Sequence, residues 1–243
     1  MAIKGMRCTV IALPLLALLQ GCTGKKSDEP YVFMLSDFMA AKELPYDSPP
    51  QVIYRIDDHR FVTLERYRDC YHGDTWYNDT RTHIRKYLGR AGIEGYQGML
   101  FNADPTGRNL VFPSGSPPNI ATIDRGWTVE MMYSTDGGKT FDALDYMPHS
   151  FNPFSESKRY AVYVDRDRVY VEKRRNTDSY VESYPLIPGF IYDGKSDIPD
   201  NKHVEEDTMV PSGLRTPSGD DRIHCDASIK PTNPDAPLIS GDR

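Results

Sequence analysis

The sequence is short of several things, and each shortage excludes something. Long hydrophobic runs are one: residues 9–19 form an apolar stretch, too brief for a bilayer span of about 20 residues, and no second such run follows. Paired metal ligands are another. The six histidines (His59, His72, His83, His149, His203, His224) make no H-E-x-x-H or H-x-H pattern, so a hydrolytic zinc site has no support. No G-x-S-x-G elbow, P-loop or dinucleotide fingerprint occurs, and Gly213, Ser218 and Gly219 lie in a polar stretch without the strand and helix flanks such motifs need. Adjacent carboxylates are present (Asp57-Asp58, Glu205-Glu206, Asp220-Asp221), but neighbours on a strand face opposite ways, which serves a glycosidase dyad poorly. Basic charge is also in deficit, with 29 Lys+Arg against 35 Asp+Glu. That balance argues against nucleic acid as a partner. The expectation is a non-enzymatic protein with no metal and no cofactor.

What is there begins with an address. Lys4 and Arg7 precede the apolar stretch, and Leu19-Gln20-Gly21-Cys22 has the form of a bacterial lipobox. Residues 1–21 are therefore expected to be a lipoprotein signal peptide, with Cys22 acylated and residues 22–30 acting as a polar tether. An ordinary secretory signal that happens to end near a cysteine is the alternative. Acyl chains contribute about 0.8 kcal/mol per buried CH₂, so two or three hold a soluble domain on a membrane. Thr23 occupies the place where an aspartate would favour inner-membrane retention, which points to the outer membrane. Loss of Lys4 and Arg7 leaves 27 basic against 35 acidic residues and shifts the formal charge from −6 to −8.

Cysteine is scarce, at four. With Cys8 removed and Cys22 lipidated, Cys70 and Cys225 remain in an oxidising compartment, where an even pair reads as a disulfide. Closing that loop of about 155 residues is worth roughly 4–5 kcal/mol on the chain-entropy argument. A thiol metal site or a catalytic cysteine are the alternatives, and neither cysteine has a second one at ligand spacing.

The apolar pattern from residue 31 to residue 192 has period two. Residues 51–56 and 60–64 read as a hairpin about Asp57-Asp58-His59, and residues 160–164 and 168–172 as another about Asp165-Arg166-Asp167. Between them lie candidate strands at 98–101, 109–112 and 128–133. Residues 36–43 could form a short helix ended by Pro45. Residues 79–88 suit helix or strand, and the β-formers around them favour one extended strand. Residues 193–243, rich in Asp, Pro, Ser and Gly, should build no core of their own. The fold class is all-β, made of antiparallel hairpins. It is either propeller-like, closed or incomplete, or a β-sandwich, with a long irregular C-terminal tail strapped back through Cys225.

Residues 134–141 match the Asp-box, Ser-x-Asp-x-Gly-x-Thr-aromatic, at Ser134, Asp136, Gly138, Thr140 and Phe141. The motif predicts a tight hairpin. Asp136 accepts backbone N–H groups across the turn, glycine takes a positive φ, and Phe141 plugs the space beneath. Its role is structural, and a sialidase would usually carry more than one copy. The 16 tyrosines include Tyr160, Tyr163, Tyr170, Tyr180, Tyr184 and Tyr192. They would suit a protein interface or a sugar surface if exposed, and strand packing if half-buried.

The lipobox, Trp76-Tyr77-Asn78-Asp79-Thr80, and the segment from Ser218-Gly219-Asp220-Asp221 through Cys225 to Pro231 together resemble the immunity lipoproteins encoded beside type VI secretion phospholipase effectors. The resemblance implies a membrane-tethered periplasmic protein that binds a secreted lipase toxin and blocks it. It assigns no toxin-contacting residue, so the partner-binding positions are unknown at this point. A glycan-binding Asp-box module and an envelope-assembly scaffold remain as alternatives.

Overall fold

The computed structural model describes residues 46–119 and 124–233. They lie in one of the chain's two compact units, Lys42–Ile239. The candidate helix at 36–43, the signal peptide and Cys22 lie outside the described residues.

Three sheets pack on one apolar core. The first is an antiparallel meander of β1 (Gln51–Arg55), β2 (Arg60–Glu65), β3 (Asp74–Asp79) and β4 (Ile84–Arg90). Alternation sends Tyr54, Val62, Leu64, Tyr77 and Leu88 into the core, and each is less than 8 % exposed. After β5 (Met99–Asn102), the strands β6 (Leu110–Pro113), β7 (Trp127–Ser134) and β8 (Asp142–Ser150) make a second, three-stranded antiparallel sheet. Asn152 then caps a single helical turn, α1 (Pro153–Glu156), by accepting from the Ser155 N–H. The third sheet has the order β12-β11-β10-β9-β5, with β9 (Tyr160–Val164), β10 (Arg168–Arg174), β11 (Ser179–Pro185) and the two-residue β12 (Glu205–Glu206).

Two expectations need correction. The stretch 79–88 is not one strand: it holds the end of β3, a turn and most of β4. Asp79 breaks it, because its Oδ1 accepts the N–H groups of both Arg81 and Thr82, and His83 then takes φ +58°. The β structure is also not wholly antiparallel, since β5 pairs in parallel with β9. A whole sheet intervenes in the chain between these two strands, and a long crossover of that kind is what parallel pairing requires.

The tail is mostly irregular, as its composition implies, but it is firmly engaged. It fills the seam between the β1 edge and the β5 edge. The N–H of His224 donates to the Ile53 carbonyl at 2.7 Å and that of Ser218 to the Ile56 carbonyl at 2.9 Å. The Arg55 N–H donates to Asp220 Oδ2, and on the far side Leu100 N–H donates to the Asp221 carbonyl. Gln51 clasps the backbone of Asp226, its Oε1 accepting the N–H and its Nε2 donating to the carbonyl. A disulfide between Cys70 and Cys225 fastens the strap, with Cα atoms 5.7 Å apart. Beneath it the Tyr54 hydroxyl, fully buried, meets Thr216 Oγ1, the Leu100 carbonyl and the Asn102 N–H. Burial lifts that phenol to about 12 despite these hydrogen bonds, so it stays protonated and able to donate.

Candidate partner-binding site

In the third sheet the register puts side chains of three strands into rows on one face. Lys173 lies opposite both Tyr160 and Tyr180, Val171 opposite Val162 and Glu182, and Val169 opposite Val164 and Tyr184. The β9 and β10 ends of these rows are core, with Val162, Val164 and Val169 at 0 % exposure. The β11 ends, Tyr180, Glu182 and Tyr184, are only half-buried. They face strand β8 across a groove of about 370 Å³, whose opposite wall is Asp145, Tyr146 and Pro148.

The groove is aromatic with charges laid over the rings. The Lys173 ammonium stands 5.4 Å from the centre of the Tyr160 ring, and the Arg175 guanidinium 5.4 Å from that of Tyr180. Tyr146 sits edge-on to Tyr160 at 5.3 Å and donates its hydroxyl to the Ser114 carbonyl. Tyr184 donates to Glu182 Oε2 at 2.6 Å, and Tyr192 closes against its ring at 6.0 Å. Burial, and then Glu182, hold the Tyr184 phenol well above its ordinary range, so at neutral pH it is a donor. Neither Lys173 nor Arg175 forms an ion pair among the described residues.

A second aromatic surface lies on the outer face of the first sheet, where Trp76 pairs with Tyr87 across β3 and β4. The Arg85 guanidinium lies 4.2 Å over the Trp76 ring and is held by both oxygens of Glu65, at 2.9 and 2.8 Å. On this face the cation is already paired.

The Asp-box residues come together as one hairpin between β7 and β8. Asp136 Oδ1 accepts the N–H groups of Lys139 and Thr140, both at 3.0 Å, and its Oδ2 accepts the Thr140 hydroxyl. Ser134 Oγ accepts the Gly138 N–H and donates to Asp136. Burial raises the Asp136 pKa, but the donors from Thr140, Ser134 and Lys139 outweigh it and the net shift is downward. Gly138 has φ +86°, and a Cβ there would stand 2.2 Å from the Tyr77 ring. Phe141 packs on Tyr77 and Phe112, with ring centres 5.7 and 5.9 Å away. With Asp136 saturated by its own turn, the motif offers no free group for chemistry.

The only grouping of potential metal ligands among the described residues is Asp57, Asp58 and His59 in the β1–β2 turn. There Asp57 accepts from the Arg60 side chain and the His59 and Arg60 N–H groups, while His59 Nδ1 contacts Asp58. It is a hydrogen-bonded turn. The six tyrosines divide: Tyr160 and Tyr170 are buried, while Tyr163, Tyr180, Tyr184 and Tyr192 are half-buried. Of the groove residues, the sequence pattern singled out Tyr160, Tyr180 and Tyr184 but not Tyr146, Lys173, Arg175 or the strands β8 and β11. The alternation of Tyr180, Glu182 and Tyr184 was the signal available for β11.

The described residues thus form a β scaffold whose Asp-rich turns are hydrogen-bonded within themselves and whose third sheet borders a ring-lined groove. The family described as T6SS Tli3 immunity protein matches residues 46–173, just over half of the chain, and the chain belongs to that family. No curated protein matches it. The protein is accordingly an immunity protein that counters a type VI secretion lipase effector, and it is not an enzyme. The matched region covers the first two sheets, β9 and β10 as far as Lys173, while β11 and the tail lie beyond it.

Proposed function

We propose that the protein is a lipid-anchored sentinel on the periplasmic face of the outer membrane, which binds the incoming lipase and keeps it from phospholipid. The family match over residues 46–173 carries the reading. Cys22 in its lipobox supplies the anchor, and residues 22–30 the tether. A toxin aimed at lipid has to be intercepted at the membrane, and tethering there raises the local concentration of the inhibitor. Three consecutive meanders in three sheets, the third joined by β5 in parallel, favour an incomplete propeller over a sandwich, with the strapped tail filling the place of a closing element.

The test is a competition between sister cells. A strain lacking this protein should be killed by neighbours that secrete the lipase, and the mature protein should co-purify with it. Survival of the deletion strain sinks the proposal. Cys22→Ser should release the protein from the membrane fraction, and unchanged membrane association would count against the anchor.

A further inference from the structure

The sheets of this domain leave two long edges without backbone partners among the described residues, β4 and β8. Among the described residues the backbone of β8 pairs only with that of β7, while its side chains Tyr146 and His149 reach the carbonyls of Ser114 and Arg125. The two edges differ in what flanks them. Beside β4, Arg85 is already occupied by Glu65. Beside β8 there is a groove, with Lys173 and Arg175 on its far wall held over tyrosine rings and without ion pairs.

A row of unpaired N–H and C=O groups is a template for strand addition. Over such an edge, rings give contact area at small entropic cost, and unpaired cations select the charge of what enters. Two carboxylates also line the groove, and neither forms an ion pair with Lys173 or Arg175 among the described residues. Glu182 accepts the Tyr184 hydroxyl, and Asp145 on the β8 wall is exposed. Pro148 has no N–H, so it ends the stretch of β8 that can pair.

We propose that the toxin is gripped here: an extended segment of the lipase adds as a strand to the free edge of β8 and places an acidic side chain against Lys173 and Arg175. This rests on the toxin-binding role proposed above and names its surface. The groove combines walls from different parts of the chain. The β8 wall and Lys173 fall within the region matched by the family, whereas Arg175 and Tyr180, Glu182 and Tyr184 of β11 lie outside it.

The experiment uses the full mature protein and the lipase effector secreted by the same strain's type VI system. Reversing both cations (K173E with R175E) should weaken binding about tenfold or more. Tyr180→Ala, a milder change at a half-exposed position, should weaken it in the same direction, and Tyr87→Ala on the first sheet should leave it within about twofold. In the complex, amide exchange along β8 before Pro148 should slow, while that of β4 stays as it was. If the wild type binds but the groove variants bind equally well, or if β4 is protected in place of β8, the grip is elsewhere and this inference fails. If the groove variants alter self-association and not lipase binding, the groove belongs to a second copy of the chain and the inference again fails. If the wild type does not bind the lipase at all, the toxin-binding role itself falls.

Discussion

The domain has two places where sheet edges meet other surfaces, and they are treated in opposite ways. At the seam between β1 and β5 the tail is laid in, hydrogen-bonded on both sides and locked by Cys70–Cys225. Between β8 and the third sheet no described segment is laid in, and tyrosine rings and two cations without ion pairs face a groove. Both are exposed backbone edges of the kind that promote unwanted pairing. Sealing one with the chain's own tail while leaving the other lined for contact separates a stability problem from a binding surface. The sealed seam also explains how about 40 residues of polar tail stay ordered without a core of their own: backbone pairing and a crosslink replace apolar burial.

The sharpest way to break the contrast is to open the sealed seam. The double change Cys70→Ser and Cys225→Ser should lower unfolding free energy by about 4–5 kcal/mol on the chain-entropy argument. It should also speed amide exchange at Leu100 and Arg55, which donate to Asp221 and Asp220 of the strap. Denaturant unfolding with exchange mass spectrometry reads both, and a variant as stable as wild type would mean that the hydrogen bonds alone hold the tail.

On the open side, Gly138→Ala should cost about 3 kcal/mol. It forces a Cβ into positive φ and into the Tyr77 ring, with about 1–2 kcal/mol expected from the first and a similar amount from overpacking. Because that hairpin leads into β8, lipase affinity should fall only as far as the folded fraction falls. A specific loss of binding in a still-folded variant would falsify the structural reading of the Asp-box.

Removing one hydroxyl beneath the strap is the next smaller change. Tyr54→Phe leaves the buried Asn102 N–H and Thr216 hydroxyl without their partner, a loss of about 1–3 kcal/mol by thermal or chemical unfolding. The tail should loosen without the disulfide being touched, and lipase binding should be unaffected.

A further effect is in pH dependence. Glu94, 3 % exposed, accepts N–H groups of Ala91, Gly92 and Gly73 and so ties the turn before β5 to the loop before β3. Desolvation lifts its carboxyl to about 7, more than those N–H groups lower it. The folded state thus holds a proton that the unfolded chain releases near its ordinary value of about 4.3, so the contribution is complete below that value. It is lost as the pH rises through about 7. The Tm of the wild type should decline across this window, and Glu94→Gln should flatten that part of the curve. An unchanged slope would show that the carboxylate's N–H donors hold its pKa down.

Local patterns made much of this legible. The hairpins at β1–β2 and β9–β10 follow from alternating apolar residues broken by Asp-rich turns, and the Asp-box turn from residues within eight positions of one another. The stretch 79–88 defeated the same method because β-propensity is similar on both sides of the Asp79 turn, and what ends the strand is a side chain accepting two N–H groups ahead of it. Strand β8 went unnamed because Pro148 and the acidic residues Asp142 and Asp145 blur its alternation. Its partner β7 imposes the extended form from across the ladder.

By itself the sequence determined the all-β class, the turn chemistry and the resemblance to type VI immunity lipoproteins, since each depends on residue type and short spacing, and it offered Cys70 and Cys225 as partners across 155 residues. Tertiary structure alone decided which edge the tail would cover, that β5 would run parallel to β9, and that Lys173, Tyr160 and Tyr180 would share one row beside a free strand. The physical reason is register. A strand's own residues fix which side chains share a face, but which strands lie alongside it, and at what offset, is settled by the packing of all three sheets on a common core.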